Sequence, residues 1–321
     1  AEDKNKVTSI EHKYQLNLLY IQKQFEDALG ALKLSKNHIL FIDGIDIRPS
    51  TINYHDYLEC VKGLANAIWS LNNDFFANIK DSKGRLRVVM LVRPDIFNSL
   101  GLQNQNSKIR DNSIILNWNT TYTEYRHSPL FQLTDRLLSY QQNGELPSGA
   151  AWNYYFPYDS RNVRSMQQSP SSFITFLRYS LYRPRDIVTM LAIQKENFIE
   201  QRKNNKDVFC FADFEHASFT RKYSDYLLGE VKDHLLFYYV PEDYENFLRF
   251  FQYLNGRSQF NYQEFLNSYS KYVQYMQRNL IKKPSFCSTP DNFLQFLYEL
   301  NIICYVADTM EEQFFGWCYR E

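Results

Sequence analysis

The chain has 321 residues, and its 36 Lys+Arg balance 36 Asp+Glu, so the formal net charge is zero. That balance gives no electrostatic reason to expect DNA, RNA or an anionic membrane as a partner; such binding would need a local patch. Hydrophobic residues make up 44 %, enough for buried cores, and no apolar run is long enough to cross a membrane.

Phe and Tyr number 25 each, whereas Gly and Pro number ten each. The pairing points to a mainly helical protein with short connections and Tyr-rich packing surfaces, although AT-rich codon usage produces the same bias. The five Cys, at 60, 210, 287, 304 and 318, form no CxxC pair. Their odd number and spacing argue against a disulfide framework or a zinc site and for a reducing, cytoplasmic setting. The six His, at 12, 38, 55, 127, 216 and 234, show no HExxH spacing, and no GxSxG occurs. The charged start, Ala1-Glu2-Asp3-Lys4, has no signal-peptide core and no initiator Met, which suggests a sequence that begins inside a larger polypeptide.

In chain order, residues 8–34 carry apolar residues at helical spacing, among them Leu18, Leu19, Ile21, Phe25 and Leu29. Ile39-Leu40-Phe41-Ile42 then reads as a strand buried on both faces, as in helix-covered parallel sheets, and ends in Asp43-Gly44-Ile45-Asp46. A second helical pattern covers 54–79. Leu86–Val92 is another apolar strand, closed by Arg93-Pro94, and Ile114–Trp118 is expected as a third. Strand, long helix, strand is the order of a βαβ unit. Beyond residue 120 the strand signal fades. Helices are expected over 128–142, 171–200, 218–240, 243–255, 261–281 and 290–300, with a polar loop or small insertion over 144–170. The end reads as a helix followed by a hairpin, Ile302–Val306 with Gln313–Tyr319, the way a winged helix closes.

A carboxylate at the C-terminal end of a buried parallel strand lies where α/β sheets bind ligands, so Asp43 and Asp46 are the leading candidates for chemistry. An ordinary Asp-Gly turn has the same sequence. Arg93, ending the next strand, and Arg183-Pro184-Arg185, opening a helix, are the accompanying cations; each also fits a simple salt bridge.

Apolar strand, Asp-Gly-x-acidic, long helix, apolar strand and Arg-Pro together resemble the core of STAND-class P-loop ATPases, a branch close to AAA+ proteins with a NACHT-like Walker B strand. The resemblance implies a partial parallel-sheet P-loop core over 1–125, a helical lid over 126–205 and a helical, winged-helix-like domain over 206–321. It implies ATP and Mg²⁺ as ligands. Asp43 would help hold Mg²⁺, Asp46 would position water, and Arg93 would act as sensor 1 at the γ-phosphate. Arg183 or Arg185, with Pro184 at the helix start, would resemble a sensor 2 motif closing on the nucleotide. Lys108 and Arg110, beside Asp111, lie where such oligomers place an arginine finger, but the residues themselves favour a solvated charged loop.

The chain departs from the class at one point: no GxxxxGK[ST] loop precedes Asp43. Gly30-Ala31-Leu32-Lys33-Leu34-Ser35-Lys36 has no second Gly and ends a predicted helix. Without that loop ATP and Mg²⁺ are not expected to bind usefully. Two readings follow. One is the later part of a nucleotide-dependent switch, of the kind that serves bacterial signalling or anti-phage defence in the class. The other is a non-catalytic helical and winged-helix module contacting protein or DNA, for which Arg278, Lys282, Lys283 and Arg320 are a thin supply of cations. A homo-oligomer or a protein partner is left open.

Overall fold

A computed structural model describes residues 17–49, 51–80, 82–102, 110–140, 142, 144, 146–159, 171–200, 208–308 and 313–316. The chain forms two compact units, Ala1–Ser113 and Ile114–Glu321. It is mostly helical, with one two-stranded parallel sheet in the first unit and one antiparallel hairpin at the end of the second.

In the first unit, helix α1 occupies residues 17–30. Strand β1 (His38–Ile42) pairs in parallel with β2 (Leu86–Met90), from His38 opposite Leu86 to Ile42 opposite Met90, and helix α2 (Tyr54–Ser70) lies between them in sequence. The short helix α3 (Pro94–Ser99) follows β2. Local chemistry sets the start of this pairing. Gly84 is tight enough against the loop before β1 that a Cβ would run into the main-chain carbonyl of Lys36. Its N–H donates to Leu34 O (2.7 Å), while Arg85 N–H donates to Asn37 Oδ1 (3.0 Å). Asn53 caps α2 by accepting from Asp56 N–H (2.9 Å).

The side of β2 away from β1 is closed by a side chain. His38 N–H donates to Arg85 O and Leu91 N–H to Ile42 O, so the alternation of a parallel ladder turns the main-chain groups of Val88 outward. Asn72, in a π turn after α2, meets both: its Nδ2 donates to Val88 O (2.8 Å) and its Oδ1 accepts from Val88 N–H (2.9 Å). One carboxamide thus takes the place of a neighbouring strand.

Helix α2 packs over Ile42, Val88 and Met90, burying Val61 and Ile68. The expectation that β1 is buried on both faces is not met: Ile39, Leu40 and Phe41 are 57 %, 57 % and 59 % exposed. The reason is that the apolar packing around this sheet reaches Ile42 of β1 but not Ile39, Leu40 or Phe41, so among the described residues most of β1 has no helix over its faces. Leu18, Leu19, Ile21 and Phe25 of α1 are likewise exposed, and Leu29 packs against the Ile68–Phe76–Val88 cluster. Ile114–Trp118, expected as a third strand, is irregular, and Ile114, Ile115 and Leu116 are exposed; no ladder partner meets them among the described residues.

The second unit runs through α4 (Pro129–Ser139), α5 (Ala150–Tyr155), α6 (Phe173–Tyr179), α7 (Pro184–Glu200), α8 (Phe211–Glu215), α9 (Ala217–Tyr238), α10 (Pro241–Phe250), α11 (Tyr262–Arg278) and α12 (Pro290–Glu299). It ends in β3 (Tyr305–Asp308) paired antiparallel with β4 (Gln313–Gly316). Starts are marked in sequence: Ser128 and Thr289 cap α4 and α12, each with Pro next, and Asn261 with Glu264 makes a capping box on α11.

Two aromatic cores hold this unit. In the first, Trp152 stacks on Phe156 (4.5 Å between ring centres) and meets Phe173 and Phe176 edge-on. Its Nε1–H donates to Ser172 Oγ (2.9 Å), which donates to Phe156 O (2.8 Å). Buried Asp135 of α4 accepts from Gly149 N–H (2.7 Å) and Trp152 N–H (2.8 Å) at the start of α5. In the second, Phe250, Phe265, Tyr272 and Phe293 cluster, and Tyr269 donates to Cys287 O (2.8 Å).

Two outcomes are expected. Asn72→Ala strands both Val88 groups and lowers the stability of the first unit by about 2 kcal/mol, read by urea unfolding. Burial, and secondarily nearby acidic groups, raise the hydroxyls of Tyr158, Tyr226 and Tyr272 well above the usual tyrosine range. These groups stay neutral in the folded chain while their unfolded counterparts ionise near ~10. Stability is therefore full below that pH and falls as pH rises above it. The exposed tyrosines, such as Tyr140, ionise first, and the last part of the tyrosinate absorbance, from the three buried rings, should appear together with loss of helical circular dichroism.

Candidate functional site

Five sequence candidates cluster by unit: Asp43, Asp46 and Arg93 in the first, Arg183 and Arg185 (with Pro184 between them) in the second.

Asp43 directly follows β1, and Arg93 lies three residues past the end of β2. Because the strands are parallel and in register, both residues leave the sheet at the same C-terminal lip. The turn after β1 depends on Gly44, whose φ of 79° is left-handed. Asp43 Oδ1 accepts from Gly44 N–H (2.7 Å), and Ile47 N–H donates to Gly44 O (3.2 Å). Ile45 is buried, leaving Asp43 and Asp46 exposed on either side of it. Tyr57 of α2 anchors the turn by donating to Ile45 O (2.8 Å). Burial raises the Tyr57 hydroxyl, and the negative charge of Asp46 adds to the effect.

Arg93 is the N-cap residue of α3 and is half-buried. Its Nε–H donates to Asp95 Oδ1 (3.1 Å) and its Nη2–H to Asp95 Oδ2, a two-pronged ion pair. The fold brings Asp43, Asp46 and Arg93 to one lip, and the guanidinium is engaged by its own neighbour Asp95.

Arg183 immediately precedes α7, Pro184 and Arg185 are its first two residues, and Tyr182 before them has a φ of 56°. Arg183 grips Asp186, Nη2 to Oδ1 at 2.7 Å and Nε to both oxygens at 3.1 and 3.2 Å, and reaches Glu230 Oε2 with Nη1 (2.8 Å). Asp186 is 0 % exposed and also accepts from Leu181 N–H and Tyr226 Oη–H (2.8 Å each). Burial alone would lower the Arg183 pKa, but the hydrogen bonds and charge of Asp186, and then Glu230, raise it. Arg185 differs. Its side chain is 73 % exposed and touches Glu230 Oε1 at 3.3 Å.

Arg110 pairs with Asp111 (3.1 Å) on the surface, and Lys108 lies outside the described residues. Among the described residues no group of three His, Cys, Asp or Glu could hold a metal ion. Cys60, Cys210 and Cys287 are free thiols; burial pushes Cys287 up to about 12, and Cys318 lies outside the described residues. No helix among the described residues is long and apolar enough to cross a membrane. An open polar depression of about 480 Å³ beside Asn119, Thr121 and Glu124 contains none of the candidates.

Sequence reasoning missed the carboxylates that answer these arginines. Asp95 and Asp186 lie two and three residues from their partners, so an acid-after-Arg signal was available. Glu230, 47 residues from Arg183, had none. Compared with protein-family models, with curated proteins and with solved structures, the chain has no match.

The two arginines of the second unit are separable by mutation. Asp186→Ala should cost about 3 kcal/mol, because it takes the acceptor from Tyr226, the Leu181 amide and the Nε side of Arg183 in a buried place, leaving Arg183 with Glu230 alone. Arg185→Ala, at an exposed pair, should cost less than about 1 kcal/mol. Chemical denaturation of both variants checks the contrast.

Proposed function

We propose that this chain is the later part of a nucleotide-dependent molecular switch of the STAND/AAA+ type, completed for hydrolysis by a Walker A loop encoded upstream. The observation that carries the reading is the shared lip: a strand ending in Asp43 and a parallel neighbour leading to Arg93, joined through a long helix. Support also comes from the exposed apolar side chains of β1, since parallel strands are stable when helices cover both faces. The helices of a larger α/β core would provide that cover.

In this reading the chain supplies three functions at the lip. Asp43 offers a hard oxygen ligand. Asp46, held beside Tyr57 by the Gly44 turn, orients an attacking water. Arg93 reads the γ-phosphate through its planar fork. Mg²⁺ carried by the nucleotide would supply neutralising positive charge between these acids and the phosphates. In the second unit, Arg185 is the arginine suited to a sensor 2 role, because Arg183 is committed to buried Asp186. Bacterial signalling or defence is the biological setting the class resemblance suggests. A winged-helix role for α12 with β3–β4 rests on the order helix, then hairpin.

The second reading, a non-catalytic interaction module, is favoured by one observation: Arg93, Arg183 and Arg185 each already meet a carboxylate.

The test is ATP turnover by the polypeptide extended to the start of its reading frame. Asp46→Asn should lower turnover by about a hundredfold or more while leaving nucleotide binding in place. Turnover that is absent, or unchanged in the variant, rejects the catalytic reading and leaves the module.

A further inference from the structure

The ion pair at the lip has a consequence for how that site is controlled. Arg93 directs Nε and Nη2 at the two oxygens of one carboxylate, and those are the same donors, in the same spacing, that a phosphate group would take. Both partners are partly shielded, with side-chain exposures of 31 % for Arg93 and 35 % for Asp95. Asp95 lies two residues along the chain, at the start of α3, so it never diffuses away and competes with any incoming anion at high effective concentration. The remaining charges make the competition one-sided. Asp43 and Asp46 are exposed carboxylates on the neighbouring turn, and Arg48, the cation of that turn, donates to Ile52 O. The lip therefore presents acids around one guanidinium that is already answered.

We propose that Asp95 is an internal stand-in for phosphate: it holds the Arg93 fork aligned and makes entry of a phosphate group conditional on displacing a carboxylate. The ligand class is a di- or triphosphate oxyanion. The proposal rests on the nucleotide reading for its biological use, but the competition itself belongs to the chain as it stands. It predicts a threshold. A bare polyphosphate gains little here, whereas a phosphate bearing a divalent cation gains because its charge is offset against Asp43 and Asp46. Asp95 is a positioning residue in this scheme, not a catalytic one, since it acts through Arg93.

The experiment titrates pyrophosphate, with and without Mg²⁺, into the 321-residue chain labelled at arginine, and follows the Arg93 Nε–H resonance, assigned by its loss in Arg93→Gln. Asp95→Asn keeps the shape of the side chain and removes its charge. It should tighten pyrophosphate binding at Arg93 about tenfold, the factor expected when a half-shielded charged pair stops competing. The double variant Arg93→Gln/Asp95→Asn should lose the gain. Equal affinity in wild type and Asp95→Asn, no response in either, or a gain that survives loss of Arg93 would each overturn the proposal. Its failure is separable from failure of the nucleotide reading. A tenfold gain without ATP turnover in the extended polypeptide retires the ATPase and keeps the stand-in. Turnover with no gain does the reverse.

Discussion

The parallel pairing of β1 with β2 is the constraint from which the rest of the first unit follows. Had the strands run antiparallel, Asp43 and Arg93 would leave the sheet at opposite ends, and no shared lip would exist. Parallel pairing needs a crossover, which α2 provides, and it needs the two strands to begin level. The level start is secured by backbone contacts that only a glycine at 84 permits, reinforced by Asn37. Ladder alternation then turns the main-chain groups of Val88 away from β1, which is why Asn72 can answer both with one amide. The sheet is thus asymmetric. The β2 side is closed at its middle by a side chain, whereas among the described residues no further strand pairs with β1, whose apolar side chains are exposed.

The second unit solves its stability problem differently. It has little β structure and relies on aromatic rings that bury large areas at low conformational cost. The dense Phe and Tyr content is therefore used in packing, whatever its origin in codon usage. Polar groups inside these cores are few and mostly answered. Asp135 closes the start of α5, Ser172 links the Trp152 ring nitrogen to a carbonyl, and Asp186 gathers Arg183, Tyr226 and the Leu181 amide. Each such group fixes the register of two helices, because its partners come from elements far apart in sequence.

Sequence was a good guide where the signal is local. Apolar runs marked β1 and β2, and the helices expected over 128–142 and 290–300 meet α4 and α12. The break between α6 and α7 falls at Tyr182, just ahead of the Arg-Pro-Arg segment read as a helix start. It was a poor guide where partners decide. An apolar run such as Ile39–Ile42 reports fitness for burial, not whether a cover exists, so its exposure was invisible. Ile114–Trp118 has strand composition, but a strand is defined by a neighbour's hydrogen bonds, and none reach it among the described residues. For the site, positions were legible and engagements were not. The residues at the lip could be named from spacing, whereas the carboxylate answering each arginine is a matter of side-chain geometry.

That last difference bears on which arginines can change partner. All three candidates are paired, so pairing alone does not sort structural from functional roles. What sorts them is the surrounding of the acid. Asp186 is wholly buried and holds two other donors in place, so releasing Arg183 would leave a charge in an apolar core. Glu230 is partly accessible and is shared by two arginines, so Arg185 can leave while Arg183 remains. Asp95 is more accessible still, and water can solvate it once Arg93 turns away. The cost of exchange falls in that order, which makes Arg183 a fixture of the α6–α7 corner and leaves Arg93 and Arg185 as the cations able to meet a ligand.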